Sequence, residues 1–294
     1  MSATPPTSVR GDDLESLRRA AYGAAYRMLG VHAEAEEAAQ ETLARLHAAP
    51  QAPDSPRAWV VTVSTRLCVD RLRSAQKRRE AYVGPWLPEP LLAAPDPAEE
   101  LELAESVSLA LLLVLETLSP AERAAFLLHD VFGYGYGELA GTLERSEPAV
   151  RQLVSRARRA VRERQVRFEP DPAERARVAQ AFAQACVAGE MDALLRVLAE
   201  DVVMRSDGGG VASAARKPLL GAPRVARAIL ALRRNLPGAA TLEIVPVNGT
   251  PGMLIGDGER PLTLMGIDVA DGRVTAIHAV REPAKLAAAL ATLS

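Results

Sequence analysis

Arginine side chains are concentrated between residues 136 and 163, where the sequence reads YGELAGTLERSEPAVRQLVSRARRAVRE. At about 100° per residue, the second half of this segment places apolar residues on one helical face and arginine, glutamine and serine on the other. Guanidinium groups bind phosphates and read guanine, and glutamine reads adenine. The pattern therefore predicts binding of duplex DNA. The residues expected to contact it are Arg145, Arg151, Gln152, Ser155, Arg156 and Arg159.

The elements that must present these side chains are two helices joined by a short turn at residues 144–146. Ser146-Glu147-Pro148 is typical of a helix start, with a serine cap and a proline in the first turn. Such a pair is a helix-turn-helix, whose second helix can enter a major groove. The alternative is a solvated basic helix that is unrelated to DNA.

A second basic helix is predicted from about Pro56 to Arg79, where Asp70 is the single acid before the end of the helix. Basic side chains next to an aromatic residue suit a track for melted, single-stranded DNA. Trp59 has the alternative role of a core residue. The residues expected to contact this DNA are Trp59, Arg66, Arg71, Arg73 and Lys77.

The helix predicted at about 33–48 has the opposite charge, because Glu34, Glu36, Glu37, Gln40 and Glu41 line its outer face. This face cannot bind DNA. It indicates a protein partner with basic residues, or a solvated face. The formal net charge of −2 thus hides acidic and basic segments that alternate along the chain.

The whole-chain composition is that of a globular protein, since 48% of the 294 residues are hydrophobic and 24% are charged. This length predicts two or three domains. No apolar run reaches the ~20 residues of a membrane span, and no apolar segment typical of a secretion signal begins the chain. We therefore expect a cytoplasmic protein without a membrane partner. Cys68 and Cys186 are expected to be reduced core thiols.

Prolines and changes of composition divide the chain. Residues 10–80 are predicted to be all-α, residues 81–98 form a proline-rich linker, and residues 99–167 are again all-α. Residues 173–294 combine helices with alternating strands separated by the turns NGTPG, GDGERP and ADG. The predicted fold is multidomain, with two all-α units followed by an α+β domain that has a curved antiparallel sheet.

Two short segments are suited to join the linker to the α+β domain. Trp86, Leu87 and Pro88 lie on a stiff, extended stretch, and a large apolar side chain there needs a pocket. The second segment is a loop in which glycines let the backbone approach another surface closely. It consists of Asp207, Gly208, Gly209 and Gly210. A flexible connection between strands is the alternative for this loop.

Signals for catalysis and for cofactors are weak. The sequence has no GxxxxGK[ST], HExxH or GxSxG motif, and its four histidines lack a partner at metal-ligand spacing. We expect no catalytic residues, no metal and no cofactor. The competing interpretation is acid–base chemistry in the last third of the chain by Asp207 or His278. His278 on a strand also fits a purely structural role.

Three segments together resemble the extracytoplasmic-function group of bacterial sigma factors. AEAEEAAQETLARL is similar to the helix that holds the clamp helices of RNA polymerase, which implies that Glu37, Gln40 and Glu41 bind polymerase. PRAWVVTVSTRLCVDRLRSAQKRRE resembles the region 2 helix that melts and reads the −10 promoter element. AERAAFLLHDVFGYGYGELAGTLERSEPAVRQLVSRARRAV resembles region 4, which reads the −35 element. The implied partners are core RNA polymerase, through its clamp helices and flap, and promoter DNA.

The linker sequence YVGPWLPEPL resembles that of the sigma-factor subgroup with a fused SnoaL-like, NTF2-like domain. The tail is similar to that domain at SDGGG, NGTPG and the final VREPAKL. Where the subgroup usually has a lysine after the glycines, this chain has Val211. The resemblance implies a sigma factor regulated by its own C-terminal cone, through the linker and the glycine loop. The sign of this control and a small-molecule ligand in the cone stay open.

The alternative function is a helix-turn-helix regulator whose C-terminal domain binds or converts a small molecule. It explains residues 136–163. It leaves the second basic helix, the acidic helix and the linker unexplained.

Overall fold

A computed structural model describes residues 11–92, 108–164, 171–238, 240–258 and 260–291. The chain forms two compact units. One contains Met1–Glu80 and Val114–Arg164, and the other contains Ala81–Leu113 and Gln165–Ser294. The linker therefore groups with the α+β part of the chain. Within the described ranges, every helix is too short or too polar to cross a membrane.

The first unit begins with three helices, close to the predicted bounds: α1 Gly11–Leu29, α2 His32–His47 and α3 Pro56–Glu80. Gly30 ends α1 with a left-handed φ of 68°, a conformation that glycine adopts without strain. Small and apolar side chains recur at helical spacing and form a shared core, which includes Leu17, Ala21, Ala39 and Val60.

The helix-turn-helix is present as predicted. The helices of this part are α5 Pro120–Phe126, a π-helical turn Leu127–Val131, α6 Tyr136–Leu143 and α7 Glu147–Arg164. A helix α4, Leu109–Leu115, precedes them. Its expected start near residue 99 and the expected end of α7 near residue 166 lie outside the described residues. α6 ends at Glu144, whose φ of 52° turns the chain into α7.

One apolar core joins α1 and α3 to the helix-turn-helix. Ala24 and Val61 from the first three helices pack with Leu128, Leu139 and Val154. The two sequence regions that were predicted to be separate all-α domains thus share buried side chains in this unit.

The second unit is α+β. Its helices are α8 Pro172–Ala188, α9 Met191–Val197, α10 Ala222–Arg234 and α11 Pro283–Ala291. Its strands are β1 Leu198–Asp207, β2 Leu219–Leu220, β3 Thr241–Val247, β4 Thr250–Gly256, β5 Pro261–Ala270 and β6 Arg273–Val280. They form one sheet in the order β2-β1-β6-β5-β4-β3.

The expectation of a purely antiparallel sheet was wrong at one pair, because β1 runs parallel to β6. The other pairs are antiparallel, and β3 to β6 follow one another through tight turns. β1 reaches β6 only after α10 and three strands, and so long a connection permits parallel pairing. Both strands consequently end at the same side of the sheet, where Asp207 pairs with Val280.

The two faces of this sheet have different partners. Phe182 of α8 and Ile229 of α10 pack with Met265 and Ile267 on one face. A Cβ built on Gly266 would lie 2.7 Å from Leu109 Cδ1. Because neighbouring residues of a strand point to opposite faces, Leu109 lies against the other face.

Candidate nucleic-acid interface and linker-docking site

The outward face of α7 carries the side chains predicted to bind duplex DNA. Val150, Val154, Ala157 and Val161 hold the opposite face in the core. This arrangement lets α7 present a polar, basic surface to a major groove. The predicted residues on that surface, with Arg145 in the preceding turn, are all exposed: Arg145, Arg151, Gln152, Ser155, Arg156 and Arg159.

Two arginines of α7 are held by acids on earlier elements. Arg156 Nε donates to Glu122 Oε1 at 2.7 Å, and Arg158 Nε donates to Asp130 Oδ1 at 2.7 Å. Burial raises the pKa of Glu122, but hydrogen bonds from Ser119 and Arg156 lower it more, and the net shift is downward. Glu122 is therefore a carboxylate at neutral pH and a charged partner for Arg156.

The aromatic ring of Tyr136 holds the Arg151 side chain in position. Its guanidinium lies 4.0 Å from the centre of the Tyr136 ring, and it pairs with Glu147 at 3.6 Å. Tyr136 in turn contacts the His129 ring, with centroids 4.5 Å apart. The first helix of the helix-turn-helix thus orients an arginine of the second.

The residues of α3 that are predicted to bind DNA differ in their exposure to solvent. Arg66, Arg73 and Lys77 are exposed, Arg71 is half-buried, and Trp59 is half-buried against the core of the first three helices. Trp59 thus has the core contacts of its alternative role and keeps part of its ring accessible.

Arg66 contacts the helix-turn-helix directly. Its Nε donates to Thr142 O at 2.7 Å, and its Nη2 donates to Gly141 O at 2.6 Å. These carbonyls end α6, where a cation is favourable. A residue predicted to read melted DNA therefore joins α3 to α6 in this structure.

The acidic face of α2 and the basic face of α3 meet at Arg71. Its Nη2 lies 3.0 Å from Glu41 Oε2, and its Nη1 lies 3.4 Å from Glu37 Oε2. Gln40 is exposed beside them. The residues predicted for polymerase and for the −10 element are therefore adjacent.

A cluster of buried arginines, not predicted from the sequence, joins the two halves of the first unit. Arg123 is fully buried, donates from Nε to Arg27 O at 2.9 Å and pairs with Glu116. Arg79 also pairs with Glu116. Burial lowers the pKa of Arg27 to about 10. The guanidiniums of Arg79 and Arg123 therefore share one carboxylate, whereas the Arg27 guanidinium donates to Gly23 O at 3.0 Å.

The linker docks on Asp207. This side chain is fully buried, and its carboxylate accepts four hydrogen bonds. Oδ2 accepts from Leu87 N at 2.9 Å and Lys285 Nζ at 2.7 Å. Oδ1 accepts from Tyr82 Oη at 2.7 Å and Gly209 N at 3.0 Å. One buried acid thus binds the linker backbone, a linker side chain, its own loop and α11.

Lys285 completes this site and was not singled out from the sequence, although it stands in VREPAKL. Its Nζ donates to Leu87 O and lies 4.4 Å from the centre of the Trp86 ring. Burial lowers the pKa of Lys285, and Asp207 opposes that shift. Tyr82, also missed, donates to Glu282 Oε2 at 2.8 Å, and burial raises the pKa of its hydroxyl.

The remaining predicted contact residues surround this pair. Leu87 and Pro88 are buried. A Cβ on Gly208 would lie 2.2 Å from Ala212 O, so the loop requires glycine there. Gly210 has a φ of 75°, and its Cβ would meet Val83 of the linker at 3.4 Å. Val211 is 79% exposed, and the amine next to Asp207 comes from Lys285.

The two groups considered for acid–base chemistry have structural partners. Asp207 is saturated by the four donors described above, and His278 Nε2 lies 2.9 Å from Asp268 Oδ2 in a buried position. Among the described residues, histidine, cysteine, aspartate and glutamate side chains form no group of three that is placed to hold a metal ion.

An apolar cavity of about 330 Å³ opens between α8, α10 and the sheet. Arg233 and Thr241 contribute its polar side chains. The apolar part of its lining includes Cys186, Ile229, Leu236, Leu242, Ile255 and Met265.

Comparison with known proteins matches both halves of the first unit. Sigma-70 region 2 matches residues 14–78, and sigma-70 region 4 matches residues 108–161. The ECF RNA polymerase sigma factor SigJ of Mycobacterium tuberculosis H37Rv is 39% identical over 287 residues, which is 93% of this chain and 92% of SigJ. The probable ECF RNA polymerase sigma factor SigI of M. tuberculosis CDC 1551 is 36% identical over 268 residues, or 89% of each chain.

The similarity extends to three dimensions. The crystal structure of M. tuberculosis SigJ aligns with a TM-score of 0.77 and 35% sequence identity, covering 94% of this chain and 98% of that chain. The C-terminal α+β domain is therefore included in the match.

Proposed function

Because the chain belongs to the ECF RNA polymerase sigma factors, we propose that its C-terminal domain regulates promoter use by holding the linker at Asp207. Sigma factors are non-enzymatic initiation factors that bind core RNA polymerase and promoter DNA, and this chain directs polymerase to promoters. We infer that it acts in the cytoplasm. The regulation by its own C-terminal domain, which the resemblance implies, is the part that the experiments below test.

The observation that carries this proposal is the buried Asp207–Lys285 pair. Undocking the linker would break the hydrogen bonds from Leu87 N and Tyr82 Oη to a carboxylate that is fully buried in the docked state. A hydrogen bond to a charged group contributes about 1.5–3 kcal/mol. The docked linker is therefore favoured strongly enough to act as a constraint.

The constraint acts through the length of the tether. The −10 and −35 elements lie about 25 base pairs apart, or on the order of 85 Å at ~3.4 Å per base pair. A free chain from Glu80 to Leu109 spans at most about 100 Å, at ~3.3–3.6 Å per residue. Docking attaches both Tyr82 and Leu109 to the C-terminal domain. Regions 2 and 4 then lose most of the distance by which a free linker would let them separate.

We propose specific roles for the exposed residues within this scheme. Glu37, Gln40 and Glu41 bind the polymerase clamp helices. Region 4 contacts −35 DNA through Arg145, Arg151, Gln152, Ser155, Arg156 and Arg159. Region 2 contacts −10 DNA through Trp59, Arg66, Arg71, Arg73 and Lys77. Phosphate contacts dominate affinity, so promoter binding weakens steeply with salt.

In vitro transcription with core RNA polymerase tests the proposal. The full chain is compared with a truncation ending at Arg167, and the difference gives the sign of control. Asp207→Asn should move transcription in the same direction as the truncation. The matched control is Asp268→Asn, which alters a partly buried carboxylate of this domain that pairs with His278 and not with the linker, and it should transcribe like the full chain.

Two results would contradict the proposal. If truncation changes transcription and a folded Asp207→Asn chain does not, the domain acts by another route. If truncation has no effect, the domain does not regulate initiation. Circular dichroism and thermal unfolding of each variant establish that it is folded.

A small-molecule signal is a second proposal, based on the apolar cavity of about 330 Å³. A volume of this size suits a small apolar ligand. Substitution of Ile229 by Trp would fill the cavity from α10. If this variant abolishes a ligand-induced rise in Tm seen in the full chain, the ligand binds there.

A further inference from the structure

Glu122 divides its two carboxylate oxygens between two tasks. Oε2 accepts from Ser119 N at 3.1 Å and from Ser119 Oγ at 2.7 Å, which closes the capping box at the start of α5. Oε1 accepts from Arg156 Nε at 2.7 Å. A carboxylate anchored by a helix cap cannot turn freely, so it fixes the nitrogen that it binds.

The consequence for Arg156 follows from the planar guanidinium. With Nε held by Glu122, the remaining donors are on Nη1 and Nη2. Among the described residues, neither of these terminal nitrogens has a hydrogen-bond partner, and the side chain is 52% exposed. One N–H from each of these nitrogens forms a fork that matches the O6 and N7 acceptors of guanine in the major groove.

We propose that Glu122 is a positioning residue for −35 recognition: it holds Arg156 by Nε so that Nη1 and Nη2 read one guanine. This inference rests on the proposed placement of α7 in the −35 major groove. It adds a residue outside α7 to the recognition of one base. It also gives Arg156 a base contact, in contrast to arginines that contact only phosphate.

A second pair on the same helix provides the matched control. Arg158 Nε donates to Asp130 Oδ1 at the same 2.7 Å. Arg158 lies two positions beyond Arg156 and so about 200° around the helix, on the other flank of the exposed face. Asp130→Asn therefore weakens a similar ion pair, between Asp130 and Arg158, and leaves the contact between Glu122 and Arg156 unchanged.

The experiment measures base preference with the holoenzyme, formed by the full chain and core RNA polymerase. A promoter that the wild type transcribes is randomised in its −35 element, and transcripts are sequenced to obtain the preference at each position. The variants are Arg156→Ala, Glu122→Gln, Asp130→Asn and the double variant Arg156→Ala with Glu122→Gln. Glutamine can still serve in the capping box, so Glu122→Gln retains the start of α5.

In the wild type, one −35 position should favour guanine by on the order of tenfold or more. Arg156→Ala should abolish that preference. Glu122→Gln should reduce it severalfold at that position alone, and Asp130→Asn should leave it unchanged. In the Arg156→Ala background, Glu122→Gln should have no further effect on base preference.

The outcomes distinguish a failure of base reading by α7 from a failure of positioning by Glu122. If Arg156→Ala removes no base preference, the proposed base reading by α7 fails at this residue, and the role of Glu122 fails with it. If Arg156→Ala removes a guanine preference and Glu122→Gln retains it, base reading stands and positioning by Glu122 is overturned. Equal weakening at all −35 positions by Glu122→Gln would also overturn positioning, because it would indicate a general loss of binding.

Discussion

The ion pairs differ between the contact of the linker with the C-terminal domain and the contact of α3 with the helix-turn-helix. In the first contact, the fully buried Asp207 pairs with Lys285 and accepts from neutral donors. In the second, Arg79 and Arg123 share the carboxylate of Glu116. Two cations that share one carboxylate also repel each other, and burial together with this repulsion lowers the pKa of Arg79. The first contact is therefore built to persist, and the second is built to open.

The proposed function also requires one contact that persists and one that opens. Arg66 Nη2 lies 2.6 Å from Gly141 O, so α3 and α6 touch. Two DNA-reading elements in direct contact cannot reach promoter sites on the order of 85 Å apart. Under the proposed function, regions 2 and 4 therefore separate during initiation, and the repulsion between Arg79 and Arg123 makes the contact between these regions easier to break.

The largest effect that sharpens this comparison is expected for Lys285→Met. Methionine fills a similar volume and leaves Asp207 as a buried carboxylate without its cation. We expect a loss of about 3–5 kcal/mol in the free energy of unfolding of the second unit. Urea unfolding followed by a probe in that unit measures it. A loss below about 1 kcal/mol would show that the pair is not essential to the docked linker.

A smaller effect is expected for Trp86→Ala, which removes the ring that lies over Lys285. Cation–π contact and burial together contribute about 1–2 kcal/mol at such a site. Limited proteolysis should cleave residues 81–98 faster in this variant. Trp86→Phe retains a ring and should cleave at nearly the wild-type rate. Equal cleavage of all three proteins would argue against docking through Trp86.

The third prediction concerns the contact that is built to open. Tyr134 Oη donates to Ala58 O at 2.6 Å, and Tyr134 has no proposed role in DNA binding. Tyr134→Phe should cost about 1 kcal/mol and shift the population towards separated regions by about fivefold. Spin labels at Gln51→Cys and Glu163→Cys report the distance between the loop that joins α2 to α3 in region 2 and the end of α7 in region 4.

The two natural cysteines do not interfere with this measurement, because burial raises the pKa of both thiols to about 12. An unchanged distance distribution would show that the hydroxyl does not hold the closed state.

The smallest effect is expected for Arg27→Met. This is the same type of change as Lys285→Met, a buried cation replaced by methionine, but the Arg27 guanidinium donates to a backbone carbonyl, Gly23 O, whereas Lys285 pairs with a fully buried carboxylate. We expect the free energy of unfolding to change by no more than about 1 kcal/mol. Urea unfolding of the first unit checks this, and a loss of 3 kcal/mol or more would break the proposed contrast.

The helices could be predicted from the sequence because their signals are local. Ser119 and Glu122 form a capping box that is visible in four consecutive residues. The exposed face of α7 follows from helical periodicity alone. The family resemblance of the first 165 residues, and of the linker and tail, was likewise confirmed by the comparisons.

The remaining features depend on contacts between distant residues. The parallel pairing of β1 with β6 has no short-range signal, since the connection is long. Tyr82 and Lys285 are about two hundred residues apart in sequence, so nothing local links them to Asp207. The placement of Arg66 on the end of α6 was missed for the same reason, because exposed arginines on a helix favour a nucleic-acid role when seen alone.

The parallel pairing of β1 and β6 has a consequence for biosynthesis. Asp207 ends β1, and Lys285 follows the end of β6, so the site that receives the linker exists only after both strands are in place. The ribosome releases Tyr82 about two hundred residues before Lys285, a delay of roughly 10–40 s at ~5–20 residues per second. In the later part of that interval, after Arg164 has been added, both promoter-reading regions have been synthesised and the linker between them is not yet restrained. A docked linker therefore marks a chain whose C-terminal domain has been synthesised at least as far as Lys285.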